Sequence, residues 1–217
     1  MKRGAIFDMD GTLFDTEKLY RQAWLEVAEE MGLGKNYELP TAISGTNLGE
    51  ESYQVIRRFY PDADAEAYLA RVLAEVRAAS EKNLELKAGT VEILEFFKAE
   101  NISMAVASSA PVAVIEKNLT RSNLRGYFRA LVGGDRVSNG KPAPDIFLLA
   151  AKELNLAASD CYIFEDSFNG IRSAAASGGV AIMIPDTVQP TAEIKKICAA
   201  IFTDLNGAKQ AIMEGSL

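Results

Sequence analysis

The 217-residue sequence predicts an α/β fold, a doubly wound parallel sheet with an inserted α-helical domain. Two observations carry that reading. From residue 86 onward, short apolar runs alternate with stretches of helical periodicity, as in strands joined by crossover helices. Between residues 15 and 85 only the 3.6-residue period is found, so a helical bundle interrupts a sheet already begun at residue 4. The expected division is an α/β core of residues 1–14 and 86–217 and a helical domain of residues 15–85.

Residues 4–7 are a short apolar run ending in the acidic turn Asp8-Met9-Asp10-Gly11-Thr12. Leu19, Ala23, Trp24, Val27, Ala28 and Met31 then form the apolar stripe of a helix closed by Gly32 and Gly34. Further helices are expected over residues 50–59, stopped before Pro61, and over residues 63–81, with Leu69, Val72, Leu73 and Val76 inward. A helix over 91–100 leads to a strand over 102–107, and Pro111 opens the next helix at a position where proline is tolerated. Strands over 130–132 and 162–164 flank a helix opened by Pro144. A helix of small residues then ends at Gly178-Gly179. A strand over 180–184, a helix over 191–199 and a short strand over 200–202 complete the reading.

Composition narrows the chemistry. The apolar and charged fractions, 48% and 24%, are those of a globular protein with a sizeable core. A net charge of −7 argues against a nucleic-acid partner, which would call for a basic face. No apolar run is long enough to span a bilayer, and Asp8 comes too early for a secretory leader, so a cytoplasmic protein without a membrane partner is expected. A monomer is expected. The absence of histidine removes Ser-His-Asp and Cys-His hydrolysis and every imidazole-dependent zinc site. Cys161 and Cys198 form no CxxC pair and read as packing residues.

In a doubly wound sheet ligands sit at the carboxyl ends of the strands. Asp8, Asp10, Gly11 and Thr12 follow the first predicted strand, Ser108 and Ser109 the second, and Glu165, Asp166 and Ser167 the fourth. Lys141 lies between the third and fourth, in the turn Asn139-Gly140-Lys141-Pro142. Four carboxylates, two hydroxyls and one lysine therefore converge on one edge. Carboxylates so crowded need a cation to stay ionised, and an all-oxygen donor set suits Mg²⁺ rather than zinc. The stretch from Gly134 to Pro142 imitates a phosphate-binding P-loop but has five residues between its glycines and proline where that loop needs Ser or Thr.

Asp8-x-Asp10-Gly11-Thr12, Ser108, Lys141-Pro142 and Glu165-Asp166-Ser167 resemble, in order and spacing, the four motifs of the haloacid dehalogenase superfamily, and the helical insert falls where its first subfamily carries a cap. The resemblance implies a Mg²⁺-dependent phosphatase acting on a small phosphorylated metabolite, a sugar phosphate or similar monoester. It implies that Asp8 attacks phosphorus and becomes an aspartyl phosphate, and that Asp10 serves as acid and base. Asp8, the backbone carbonyl of Asp10, Asp166 and Glu165 would hold the metal. Gly11, Thr12, Ser108, Ser109 and Lys141 would bind the phosphoryl group. The second aspartate separates the chain from the dehalogenases themselves. The other reading is a sugar phosphomutase of the β-phosphoglucomutase type. That enzyme's cap histidine falls at Tyr20 here, and no arginine stands in Gly45-Thr46-Asn47-Leu48-Gly49-Glu50. Tyr20, Gly45, Thr46 and Asn47 are the expected substrate contacts of the helical domain.

Overall fold

The structure is a computed structural model that describes residues 1–43, 49–186 and 189–217. The chain divides into two compact units, Met1–Phe14 with Leu86–Leu217, and Asp15–Glu85. Among the described residues no helix is long and apolar enough to cross a membrane.

The first unit is built on a six-stranded parallel sheet: β1 (Gly4–Phe7), β2 (Ser103–Ser108), β3 (Ala130–Gly133), β4 (Cys161–Glu165), β5 (Val180–Met183) and β6 (Ala200–Ile201). Their spatial order is β3-β2-β1-β4-β5-β6. The chain steps outward on one side of β1 and then returns to β1's other side, so the switch point lies beside β1, where such sheets bind ligands. Register there is direct: Phe7 pairs with Val106 on one side and Phe164 on the other. The residues that follow, Asp8 and Glu165, thus emerge next to each other.

Both faces of the sheet are covered, and its central strands are continuously apolar as buried parallel strands must be. On one face the Phe7 ring stacks on Phe164 at 4.6 Å and meets Phe97 and Phe128 at 6.1 Å each. Phe97 comes from α5 (Thr90–Ala99). On the opposite face Ile6, Ala105 and Ile163 pack with Phe147 of α7 (Asp145–Glu153), Ile171 of α8 (Phe168–Ala176) and Ile194 of α9 (Ala192–Ile197). The remaining helices of this unit are α6 (Val112–Arg121) and α10 (Leu205–Met213). The α10 helix falls outside the sequence reading, which ended at residue 202. Its signals are present all the same: Asp204 accepts from Gly207 N as N-cap, and Leu205, Ala208 and Ile212 make a buried stripe against α5.

Among its described residues the second unit has helices and no strand: α1 (Thr16–Glu30), α2 (Leu39–Ile43), α3 (Glu50–Phe59) and α4 (Ala65–Lys82). The sequence reading did not include the short α2. Packing of α1 on α4 centres on Trp24 and Tyr68, with ring centroids 5.3 Å apart, and the Tyr68 hydroxyl donates to the Trp24 carbonyl at 2.5 Å. Where the chain returns to the first unit, Lys87 N donates to Leu13 O at 2.9 Å and the Lys87 ammonium pairs with Asp186 at 3.0 Å.

Phe7 joins three rings across the switch point, so truncating it removes the centre of that stack. Phe7→Ala is expected to lower unfolding free energy by about 3–5 kcal/mol, read from urea denaturation. A loss below about 1 kcal/mol would contradict the packing described.

Candidate active site

Asp8 leaves β1 with its amide bonded to Phe164 O at 2.9 Å, and the chain then turns sharply, Leu13 N and Phe14 N both returning to Met9 O. At the apex of that turn Gly11 has φ +80°, and an added Cβ would lie 2.3 Å from Asp166 Oδ2. Glycine is required twice there, by the left-handed backbone and by the close approach of Asp166. Thr12 is fully buried and its hydroxyl donates to Asp166 Oδ1 at 3.4 Å. Its side chain thus steadies Asp166.

Lys141 stands at the centre. Its ammonium donates to Asp8 Oδ1 at 2.5 Å, to Glu165 Oε1 at 2.6 Å and to Ala107 O at 3.4 Å, and it lies 5.0 Å from the Phe147 ring. Only 7% of the lysine side chain is exposed. Burial works against its charge, but the two carboxylates outweigh burial and hold Lys141 well above the ordinary lysine value. Burial also pushes the Asp8 carboxyl up, reinforced by Glu165 and Asp10 and opposed by Lys141. The two shifts pull the pair in opposite senses. The short approach and the second carboxylate, Glu165, favour the ionised lysine.

The remaining oxygen of Glu165, Oε2, accepts from Ser167 N at 2.7 Å and Ser167 Oγ at 2.9 Å. The same Ser167 hydroxyl caps α8 by accepting from Gly170 N at 3.0 Å. One oxygen from each of Asp8, Glu165 and Asp166 lies within 4.8 Å of the others, and all three residues are buried. Three carboxylates against one ammonium leave two negative charges when all are ionised. That balance and the all-oxygen donor set fit a hard divalent cation. Asp10 is half-buried at the edge of this group.

Ser108 ends β2 beside Gly133, buried, with its Oγ accepting from Ala110 N at 3.1 Å. Ser109 is exposed. Tyr20 is half-buried and packs against the apolar core of the helical unit. Gly45, Thr46 and Asn47 lie outside the described residues.

Ser167, named in the motif without a role, and two residues that sequence reasoning left out of the site support it. Ser167 fixes Glu165. Ser173 of α8, fully buried, donates to Ala143 O at 2.6 Å and so ties the lysine turn to the helix after β4. Asp135, in the discarded P-loop imitation, accepts from Val112 N at 3.1 Å. Only Ser167 carried a local signal, a serine three residues ahead of the amide it caps. The other two contacts join segments far apart in sequence.

An added Cβ at Gly170 would lie 1.9 Å from Glu165 Cδ. The carboxylate cannot yield freely, because Lys141 and Ser167 both hold it. Alanine is the better helix former by about 1 kcal/mol, so helix propensity favours Gly170→Ala. The steric argument predicts the reverse, a net loss of about 1–3 kcal/mol. A Tm at or above the parent's would contradict it.

Comparison with known proteins agrees with this geometry. The sequence profile of the haloacid dehalogenase-like hydrolases matches residues 5–184. The chain is 36% identical over 173 residues to a phosphorylated carbohydrates phosphatase of Thermotoga maritima, covering 80% of each. It is 34% identical over 179 residues to a fructose-1-phosphate phosphatase of Escherichia coli, covering 82% of this chain and 94% of that one. Among solved structures, a Thermotoga maritima protein provisionally named a β-phosphoglucomutase superposes with a TM-score of 0.80 at 30% identity, over 99% of both chains. With a family profile that spans most of its length and relatives above 30% identity, this chain belongs to the haloacid dehalogenase-like hydrolases.

Proposed function

We propose that this hydrolase is a Mg²⁺-dependent phosphatase that removes the phosphoryl group from a small phosphorylated carbohydrate. The observation that carries the reading is the buried Lys141 ammonium joined to Asp8 at the switch point of the sheet, within a cluster of three carboxylates. The substrate class rests on the relatives, both named for phosphatase action on sugar phosphates.

Asp8 attacks phosphorus in line with the leaving sugar oxygen, forming an aspartyl phosphate as the P–O bond to the sugar breaks. Asp10 gives its proton to that oxygen. It then takes a proton from water, whose oxygen attacks phosphorus and returns Asp8 as a carboxylate with release of inorganic phosphate. Lys141 and Ser108 hold the non-bridging oxygens and offset their charge, which is most of what phosphoryl transfer asks of a protein. Asp8, the Asp10 carbonyl, Asp166 and Glu165 would hold the cation, which supplies further neutralisation of phosphoryl charge. We further assign choice of substrate to the helical unit, with Tyr20 as one contact.

The test is phosphate release from a panel of sugar phosphates with Mg²⁺. Asp8→Asn is expected to fold normally and to lose more than about a thousandfold in turnover, and EDTA to abolish activity. Retained activity in either case contradicts the mechanism. With β-glucose 1-phosphate and a trace of the 1,6-bisphosphate, free phosphate without glucose 6-phosphate is expected. Rapid isomerisation with negligible phosphate release identifies a mutase instead.

A further inference from the structure

The turn that carries Ser108 leads straight into α6, yet Pro111, at the N-cap position, offers no side-chain acceptor to the helix. The acceptor comes from elsewhere in the chain. Asp135, just beyond β3, accepts from Val112 N, the first amide of α6, at 3.1 Å. The adjoining backbone is pressed against the same turn, with Gly134 N donating to Ala110 O at 3.1 Å. A Cβ on Gly133 would lie 2.5 Å from Val112 N, and one on Gly134 would lie 2.5 Å from Ser109 O, so the approach needs glycine at both positions. Ala110 is also the residue whose amide donates to Ser108 Oγ. A continuous path therefore runs from the post-β3 turn, through Ala110 and Val112, to the hydroxyl assigned to phosphate.

We propose that Asp135 is a positioning residue for Ser108. By capping α6 from a neighbouring strand end, with Gly134 alongside, it fixes the turn that aims the Ser108 hydroxyl at the phosphoryl oxygens. The inference rests on Ser108 binding phosphate, as in the function proposed above. Asparagine retains an oxygen that can accept from Val112 N, whereas alanine removes it.

The test is a double-mutant cycle on binding of inorganic phosphate, measured calorimetrically with Mg²⁺ present. Asp135→Ala is expected to weaken binding about tenfold in the parent and less than about twofold in a Ser108→Ala background, the non-additivity of residues that act through one group. Asp135→Asn is expected to stay within about twofold of the parent. Equal losses in both backgrounds, no loss on Asp135→Ala, or no phosphate binding by the parent overturns the proposal. Should Asp135→Ala fail to fold, Gly134→Ala, which pushes on the Ser109 carbonyl, is expected to show the same dependence on Ser108, and additivity there overturns the proposal equally. Binding is read separately from turnover, so a parent that binds phosphate but hydrolyses no monoester defeats the proposed reaction while leaving this cycle readable.

Discussion

Removing a lysine ammonium from water costs several kcal/mol, and that cost is offset only when close opposite charges and hydrogen bonds replace the water. Lys141 meets the condition with Asp8 at 2.5 Å, Glu165 at 2.6 Å and the Ala107 carbonyl as its third acceptor. Besides the end of β2, which supplies Ala107, three chain segments must arrive together for this to happen: the end of β1, the end of β4 and the turn between β3 and α7. The strand order delivers the first two side by side. The buried Ser173 hydroxyl, bonded to Ala143 O, holds the third. Much of the local architecture follows from protecting that meeting point. Gly170 leaves room for the Glu165 carboxylate, Ser167 occupies its second oxygen, and Gly11 leaves room for Asp166.

The same arrangement explains how one site can carry so much like charge. Asp8, Glu165 and Asp166 would repel strongly in an apolar setting, and Lys141 compensates only one of them. The excess suits a divalent cation. In the proposed reaction, charge moves among oxygens already surrounded by fixed donors, so little reorganisation is needed as it develops. The helical unit is stabilised by its own core around Trp24 and Tyr68.

The sheet was legible because buried parallel strands write themselves as apolar runs, and the strand-end acids, hydroxyl and lysine could be placed by topology alone. Local chemistry that stays within a few residues was legible too: the φ demand at Gly11 sits in the sequence as a glycine after two aspartates. What could not be read was contact between distant segments. The bond from the Thr12 hydroxyl to Asp166, 154 residues away, had no signal in the sequence. Asp135 looked like part of a failed phosphate loop and proves to cap a helix two elements earlier. The α10 helix follows the last strand and leads to no further one, so only its own signals, the Asp204 cap and the Leu205–Ala208–Ile212 stripe, announce it.

The central claim is that Asp8, held by Lys141, receives the phosphoryl group. Acid-quenching the enzyme during turnover of a sugar phosphate and sequencing its peptides by mass spectrometry tests this directly. The account predicts one phosphoryl group on the peptide containing Asp8, localised to that aspartate and labile to hydroxylamine as an acyl phosphate should be. A phosphoryl group on any other residue, or none at all during steady turnover with the intermediate's breakdown made rate-limiting, would contradict it.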